Sequence, residues 1–136
     1  MSEHTWFRGV ATRLPAQDLE RARRWYLEKL DLSPVEERQG GLRYLVGGGE
    51  FSLFLSSGQP RGDFTQLAIT VDDIRATTAE LRRRGVELLD YDTEPLVTTD
   101  GIARVEGNYP TKGTAELGCW FRDSECNLIS LGESLT

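Results

Sequence analysis

Two stretches of the chain share one pattern of apolar and polar positions. VATRLPAQDLERARRWYLEKLDLSPV, from Val10, and TQLAITVDDIRATTAELRRRGVEL, from Thr65, each begin with alternation, pass an aspartate and continue with helical spacing. Alternation puts one face of a strand in a core, and an aspartate before the helical run accepts the free N–H groups of the first turn. Aligning Asp18 with Asp73 gives an offset of 55 residues, so the chain reads as a duplicated module. The first helix carries Leu19, Ala22, Tyr26 and Leu30 on one stripe, with Glu20, Arg21, Arg24 and Glu28 opposite. In the second, Ile74, Thr77 and Leu81 repeat the stripe. Arg82 to Arg84 complement that helix's negative end and Gly85 can take the left-handed cap, so this basic run needs no nucleic acid to explain it.

Strand patterns follow each helix: PVEERQ, LRYLVG and FSLFLS in the first half, GVELLD, ELGCWF and NLISLG in the second. Gly47 to Gly49 mark a hairpin turn; a phosphate-binding loop would be followed by a helix, and here a strand follows. Matching Phe54 to Ser130 gives an offset of 76, so the second half carries 76 − 55 = 21 extra residues, within Tyr91 to Ala115. This stretch is rich in Gly, Thr, Asp and Pro, and a connection of such length is a candidate lid. Trp25, Tyr26, Leu30 and Leu32 read as core.

A chain of 136 residues suits one domain, and at this size folding buries roughly 68% of the unfolded surface. The net charge of −6 and the scatter of basic residues argue against nucleic acid or an anionic membrane as partner. No apolar run approaches the roughly 20 residues of a membrane helix, and MSEHTWFRG lacks the regions of a secretory signal; the expected location is cytoplasmic. Cys119 and Cys126 flank a turn at FRDSE whose hairpin would not pair them, so both are expected as free thiols. The only histidine is His4, near the start of the chain, which makes Cys/His or Ser/His/Asp catalysis a poor fit.

The doubled βαβββ pattern, with DLERARRWYLEKLDL in the first half and the closing WFRDSECNLISL in the second, resembles the vicinal oxygen chelate superfamily, which includes glyoxalase I, extradiol dioxygenases and bleomycin resistance proteins. The resemblance implies an α+β fold of two βαβββ modules, whose curved sheets form a cup with one helix packed behind each. It implies a single domain over residues 1–136, with module 1 at about 7–58, module 2 at about 63–132 and the long loop at about 91–115. In the family's metal enzymes, ligands come from the first and last strands of each module, and those positions map onto Ala11, Phe54, Gln66 and Ser130. Transition metals want imidazole, carboxylate or thiolate donors, and only Gln66 could donate at all well, so neither a metal nor any other cofactor is expected. Cys126 stands where relatives usually carry a glycine. Relatives of this fold commonly build the cup from two chains, which implies a homodimer.

Strand alternation supports the mapping independently. If Leu67, Ile69 and Val71 face a helix, then Gln66, Ala68 and Thr70 face the cup; by the same parity Ser52, Phe54 and Ser130 face it too. Glu116, Gly118 and Trp120 share a face, opposite Leu117, Cys119 and Phe121, and Arg13 shares parity with Ala11. Phe54 and Trp120 offer aromatic faces and Gln66 an amide, a mixture suited to an aromatic or mostly apolar small molecule, over which Tyr109 of the long loop can close. The alternative for Phe54 is that it fills space, an alternative weaker for Gln66 because a buried amide needs partners, and the alternative for Arg13 and Glu116 is a pair that only satisfies two charges. Two functions follow: a metal-free small-molecule binding protein of the bleomycin resistance type with Arg13, Phe54, Gln66, Trp120, Ser130 and Tyr109 around its ligand, or an enzyme, either a lyase or isomerase in which Glu116 abstracts a proton and Arg13 steadies the anion, or a dioxygenase-like form whose metal donors are recruited from elsewhere, such as Asp or Glu of the long loop.

Overall fold

Both aspartates cap helices in the computed structural model, which describes residues 6–93, 96–107 and 114–135. Asp18 accepts the Arg21 N–H at 3.0 Å and opens α1, Leu19–Leu30. Asp73 accepts the Ala76 N–H at 3.1 Å and opens α2, Ile74–Arg83. The buried stripe of α2 is Ile74, Thr78 and Leu81, not Ile74, Thr77 and Leu81 as its sequence suggested. Thr78 fits the stripe because its hydroxyl is satisfied by the Arg75 carbonyl at 3.1 Å and its methyl can then face the core. After α2, Gly85 takes the left-handed conformation expected of it, at φ +86°.

The strands form two four-stranded sheets of identical topology. In the first, β1 (Thr12–Ala16) lies beside β4 (Gly49–Leu55), then β3 (Gly41–Val46) and β2 (Glu36–Arg38). In the second, β5 (Thr65–Thr70) lies beside β10 (Leu128–Leu135), then β9 (Ala115–Arg122) and β8 (Ala103–Glu106). The pairs β1/β4 and β5/β10 are parallel and the rest antiparallel, so each helix makes the crossover between the first strand of its module and the remaining three.

One expected strand is absent. GVELLD does not join a sheet: Val86 and Leu88 are buried below α2, and the segment meets β9 through a bond from the Leu89 N–H to the Trp120 carbonyl at 2.9 Å. Its alternation is that of a segment lying against the core, which a strand and an extended loop share. The fourth strand of the second sheet is β8, from inside the stretch expected to be a long loop, which also contains the short hairpin of β6 (Asp92–Thr93) and β7 (Leu96–Val97). The glycines do match expectation at the first hairpin, where Gly47 turns β3 into β4 at φ +56°.

A single apolar cluster joins the modules, drawing Leu14, Tyr26, Tyr44, Phe51 and Leu53 from one and Ile74, Leu81, Phe121, Ile129 and Leu131 from the other. Trp25 of α1 lies 6.1 Å, ring to ring, from Phe121 of β9. The turn between β9 and β10 supplies the polar half of the same junction. Glu125, fully buried, takes the N–H groups of Gln17 and Asp18 and a two-point contact from Arg21 at 2.9 Å. Burial alone would push its carboxyl up, but these donors and the Ser124 hydroxyl outweigh burial and hold it down at about 2. Asp123 accepts from the Tyr26 hydroxyl at 2.5 Å; there burial wins over its hydrogen bonds and the carboxyl is raised. Cys126 closes the turn in the left-handed region, at φ 70°, so the backbone keeps a geometry natural to glycine.

Candidate functional site

The face of the first sheet turned away from α1 is built by alternation in four strands. Leu14, Leu42, Tyr44, Phe51 and Leu53 point into the core, which leaves Arg13, Arg43, Ser52 and Phe54 on the other side. Strand register places them in rows. Arg13 is paired with Ser52, Ser52 with Arg43, and Arg43 with Glu36; one step along, Pro15, Phe54, Gly41 and Arg38 form the next row. A cavity of about 510 Å³ opens above these rows, lined by first-module residues alone. Its floor is the half-buried Phe54 ring, and the Arg13 guanidinium lies 4.6 Å from that ring's centroid. Arg43 is held by Glu50 at 3.0 Å and Glu36 at 3.5 Å, and Arg38 by Glu36 at 2.6 Å. Ser52 lies on the face its parity predicts, whereas Gly41 and the Arg43–Glu50 pair were not singled out in the sequence, although the alternation in GEFSLFL and GLRYLV was enough to place them here.

The second sheet carries the other candidates on its corresponding face. Ser130 lies between Trp120 of β9 and Ala68 of β5. Trp120 is half-buried, with Tyr91 edge-on to its ring at 5.5 Å. Gly118 and Gly132, paired across the strands, form a shallow floor: a Cβ on Gly132 would come within 2.6 Å of Glu116 Oε2, and one on Gly118 within 3.2 Å of the Trp120 ring. Glu116 can therefore lie down across Gly132, where it is 7% exposed. Gln66 has protein partners of its own. Its amide donates to Asn127 Oδ1 at 3.0 Å and accepts the Leu128 N–H at 3.4 Å, while Asn127 reaches across to the Pro15 carbonyl at 3.0 Å. Arg13 and Phe54 are thus brought together on one sheet, and Trp120, Ser130 and Glu116 on the other. Tyr109 lies outside the described residues.

Residues 9–96 match the family model of the Glyoxalase/Bleomycin resistance protein/Dioxygenase superfamily. The chain belongs to this superfamily. Among solved structures it is similar to a virulence protein of Salmonella typhimurium, at 18% identity and TM-score 0.69 with 97% of this chain and 100% of that one covered. A glyoxalase/bleomycin resistance protein/dioxygenase from Alicyclobacillus acidocaldarius aligns at 16% identity and TM-score 0.68 over 93% and 91% of the two chains. An antibiotic binding protein from Streptomyces sp. CB03234 aligns at 22% identity and TM-score 0.59 over 97% and 100%. No curated protein matches the sequence.

The metal position that this superfamily implies does not suit the residues here. Ala11 is exposed and precedes β1, the Phe54 ring carries Arg13, the Gln66 amide is committed to Asn127 and Leu128, and Ser130 offers only a hydroxyl. Among the described residues no three His, Cys, Asp or Glu side chains converge on a point. Both cysteines are free; Cys119 is in the core, where burial pushes its thiol up to about 12, far from a reactive thiolate. No helix among the described residues is long and apolar enough to cross a membrane.

Proposed function

We propose that this is a small-molecule binding protein that holds an aromatic ligand against the first sheet without a metal, in the manner of a sequestering resistance protein. The observation that carries the reading is the 510 Å³ cavity floored by Phe54, with the Arg13 guanidinium already stacked on the ring. A cavity of that size is in the range that takes a drug-sized molecule, and charged groups, among them Arg13, Arg43, Glu36 and Glu50, surround its Phe54 floor. The superfamily includes bleomycin resistance proteins, and the Streptomyces relative of the same fold is an antibiotic binding protein. The protein acts in the cytoplasm as a homodimer, in which the second copy completes the open side of the cavity. Exposed Leu45, on the cavity face of β3, together with exposed Leu55 and Phe64, supplies apolar surface for that contact.

Native mass spectrometry of the purified protein tests this reading in one measurement. The expected spectrum shows a dimer, a releasable organic ligand and no stoichiometric metal; one tightly bound zinc, nickel or iron per chain would overturn it. A second reading is favoured by the burial of Glu116 beside Trp120: a carboxylate in a restricted site is a candidate base for a lyase or isomerase. Turnover of an α-keto or hemithioacetal substrate, abolished in Glu116→Gln, would establish that reading instead.

A further inference from the structure

The first sheet's open face carries three arginines and two glutamates, a local surplus of one positive charge on a chain whose net charge is −6. The surplus has an address. Arg38 and Arg43 are tied to Glu36 and Glu50, whereas among the described residues no carboxylate pairs with Arg13. Its guanidinium rests on the Phe54 ring, which fixes the plane of the fork and leaves its edge donors for a ligand. Along the same row, the Ser52 hydroxyl lies between Arg13 and Arg43, and strands about 4.8 Å apart put roughly 10 Å between the two arginine Cα atoms, enough for a carboxylate to sit on Ser52. One row further, Gly41 beside Phe54 has no side chain, and a Cβ there would meet nothing nearer than the Leu53 carbonyl at 3.6 Å, so the space next to the ring is open.

We propose that the ligand of this cavity is an aryl carboxylate: its ring lies over Gly41, beside the Phe54 ring whose face Arg13 covers, and its carboxylate is taken by the Arg13 fork and the Ser52 hydroxyl, with Arg43 on the far side. This rests on the binding reading above and narrows it from aromatic molecules in general to anionic ones. The juxtaposition separates the two halves of the ligand by one ladder step, about 6.6 Å along a strand, which is the span from the far ring of a fused two- or three-ring system to its carboxylate. A guanidinium pairs with a carboxylate through two parallel bonds, which a neutral amide of the same shape cannot reproduce.

The test is isothermal titration of the full chain with 2-naphthoate and 2-anthroate, each against its primary amide, with backbone amide shifts recorded by NMR. The acids are expected to bind at least tenfold more tightly than the amides, to shift Gly41, Ser52 and Phe54, and to weaken as salt is raised. Arg13→Gln should erase the preference and Arg13→Lys should reduce it, while Arg24→Gln, on the exposed side of α1, should leave it in place. Equal affinity for acid and amide, or a preference that survives Arg13→Gln, overturns the anion inference and leaves the binding reading standing. If neither acids nor amides bind, both fall. Circular dichroism and melting of the Arg13 variants exclude misfolding as the source of a lost preference, and Ser52→Ala gives an independent reading of the same carboxylate.

Discussion

Phe54 and Gln66 come from the same kind of strand position, yet their surroundings give them different work. Phe54 presents its ring to a cavity and touches a cation, so removing it strips a platform from the ligand and little from the core. Phe54→Ala is expected to weaken aromatic ligands by several-fold, since a stacked ring is worth about 0.5–1.5 kcal/mol beyond burial, and to shift the melting temperature only slightly. Gln66 bonds Asn127 and the Leu128 N–H, which makes it part of the module junction. Gln66→Ala should therefore cost stability, about 1–3 kcal/mol in denaturant unfolding, because it leaves polar groups of a buried turn without partners. Cys126 is a third case, in which side chain and backbone disagree. A left-handed non-glycine residue costs about 1–2 kcal/mol, and the greater freedom of an unfolded glycine returns roughly 0.4–1 of it, so Cys126→Gly should stabilise the fold by up to about 1.6 kcal/mol.

At the scale of elements, the turn from Asp123 to Asn127 does more than reverse the chain between β9 and β10. Glu125 sits on the start of α1, where its charge satisfies backbone N–H groups and meets the positive end of the helix. Its folded pKa, about 2, lies below the roughly 4.3 of an unfolded glutamate, so its contribution is fully present above that unfolded value and is lost as pH falls through the folded one. Asp123 works in the opposite direction: its raised carboxyl is relieved as pH falls and offsets part of the loss. Melting curves from pH 5 to pH 2 should show an acid limb that is flattened in Glu125→Gln. At neutral pH the same variant should lose about 1–3 kcal/mol, since hydrogen bonds to a charged acceptor become bonds to a neutral one. The helices and their caps were legible from Asp18 and Asp73, because capping and helical periodicity are local. The replacement of GVELLD by β8 was not legible, because both segments are apolar enough to pair and the choice depends on which one β9 meets.

The whole molecule is two copies of one module joined by a shared core and a buried polar turn. Tyr26 spans both, with its ring beside Tyr44 and Phe51 of the first module and its hydroxyl on Asp123 of the second. Tyr26→Phe keeps the packing and leaves Asp123 buried with one fewer partner, so it should cost about 1–3 kcal/mol, read as a lower denaturant midpoint at unchanged m. At this scale also belongs the proposed dimer: light scattering at micromolar concentration should give twice the chain mass, with two equivalent sites related by a twofold axis. Chelators should leave melting unchanged.

Periodicity, caps and turn glycines by themselves determined that the chain repeats a βαβββ unit, which faces of β1, β4, β5, β9 and β10 meet the core, and that Arg13, Phe54, Gln66, Trp120 and Ser130 point the other way. Those features follow from the geometry of a single helix or strand, which each short stretch carries within itself. Only the tertiary structure decided which of these outward residues stand together. It set Arg13 on Phe54 and away from Trp120, spent Gln66 on Asn127, and laid Glu116 across Gly132. Register between strands far apart in sequence makes those choices, and register is a property of the assembled sheet, where many weak apolar contacts are satisfied at once.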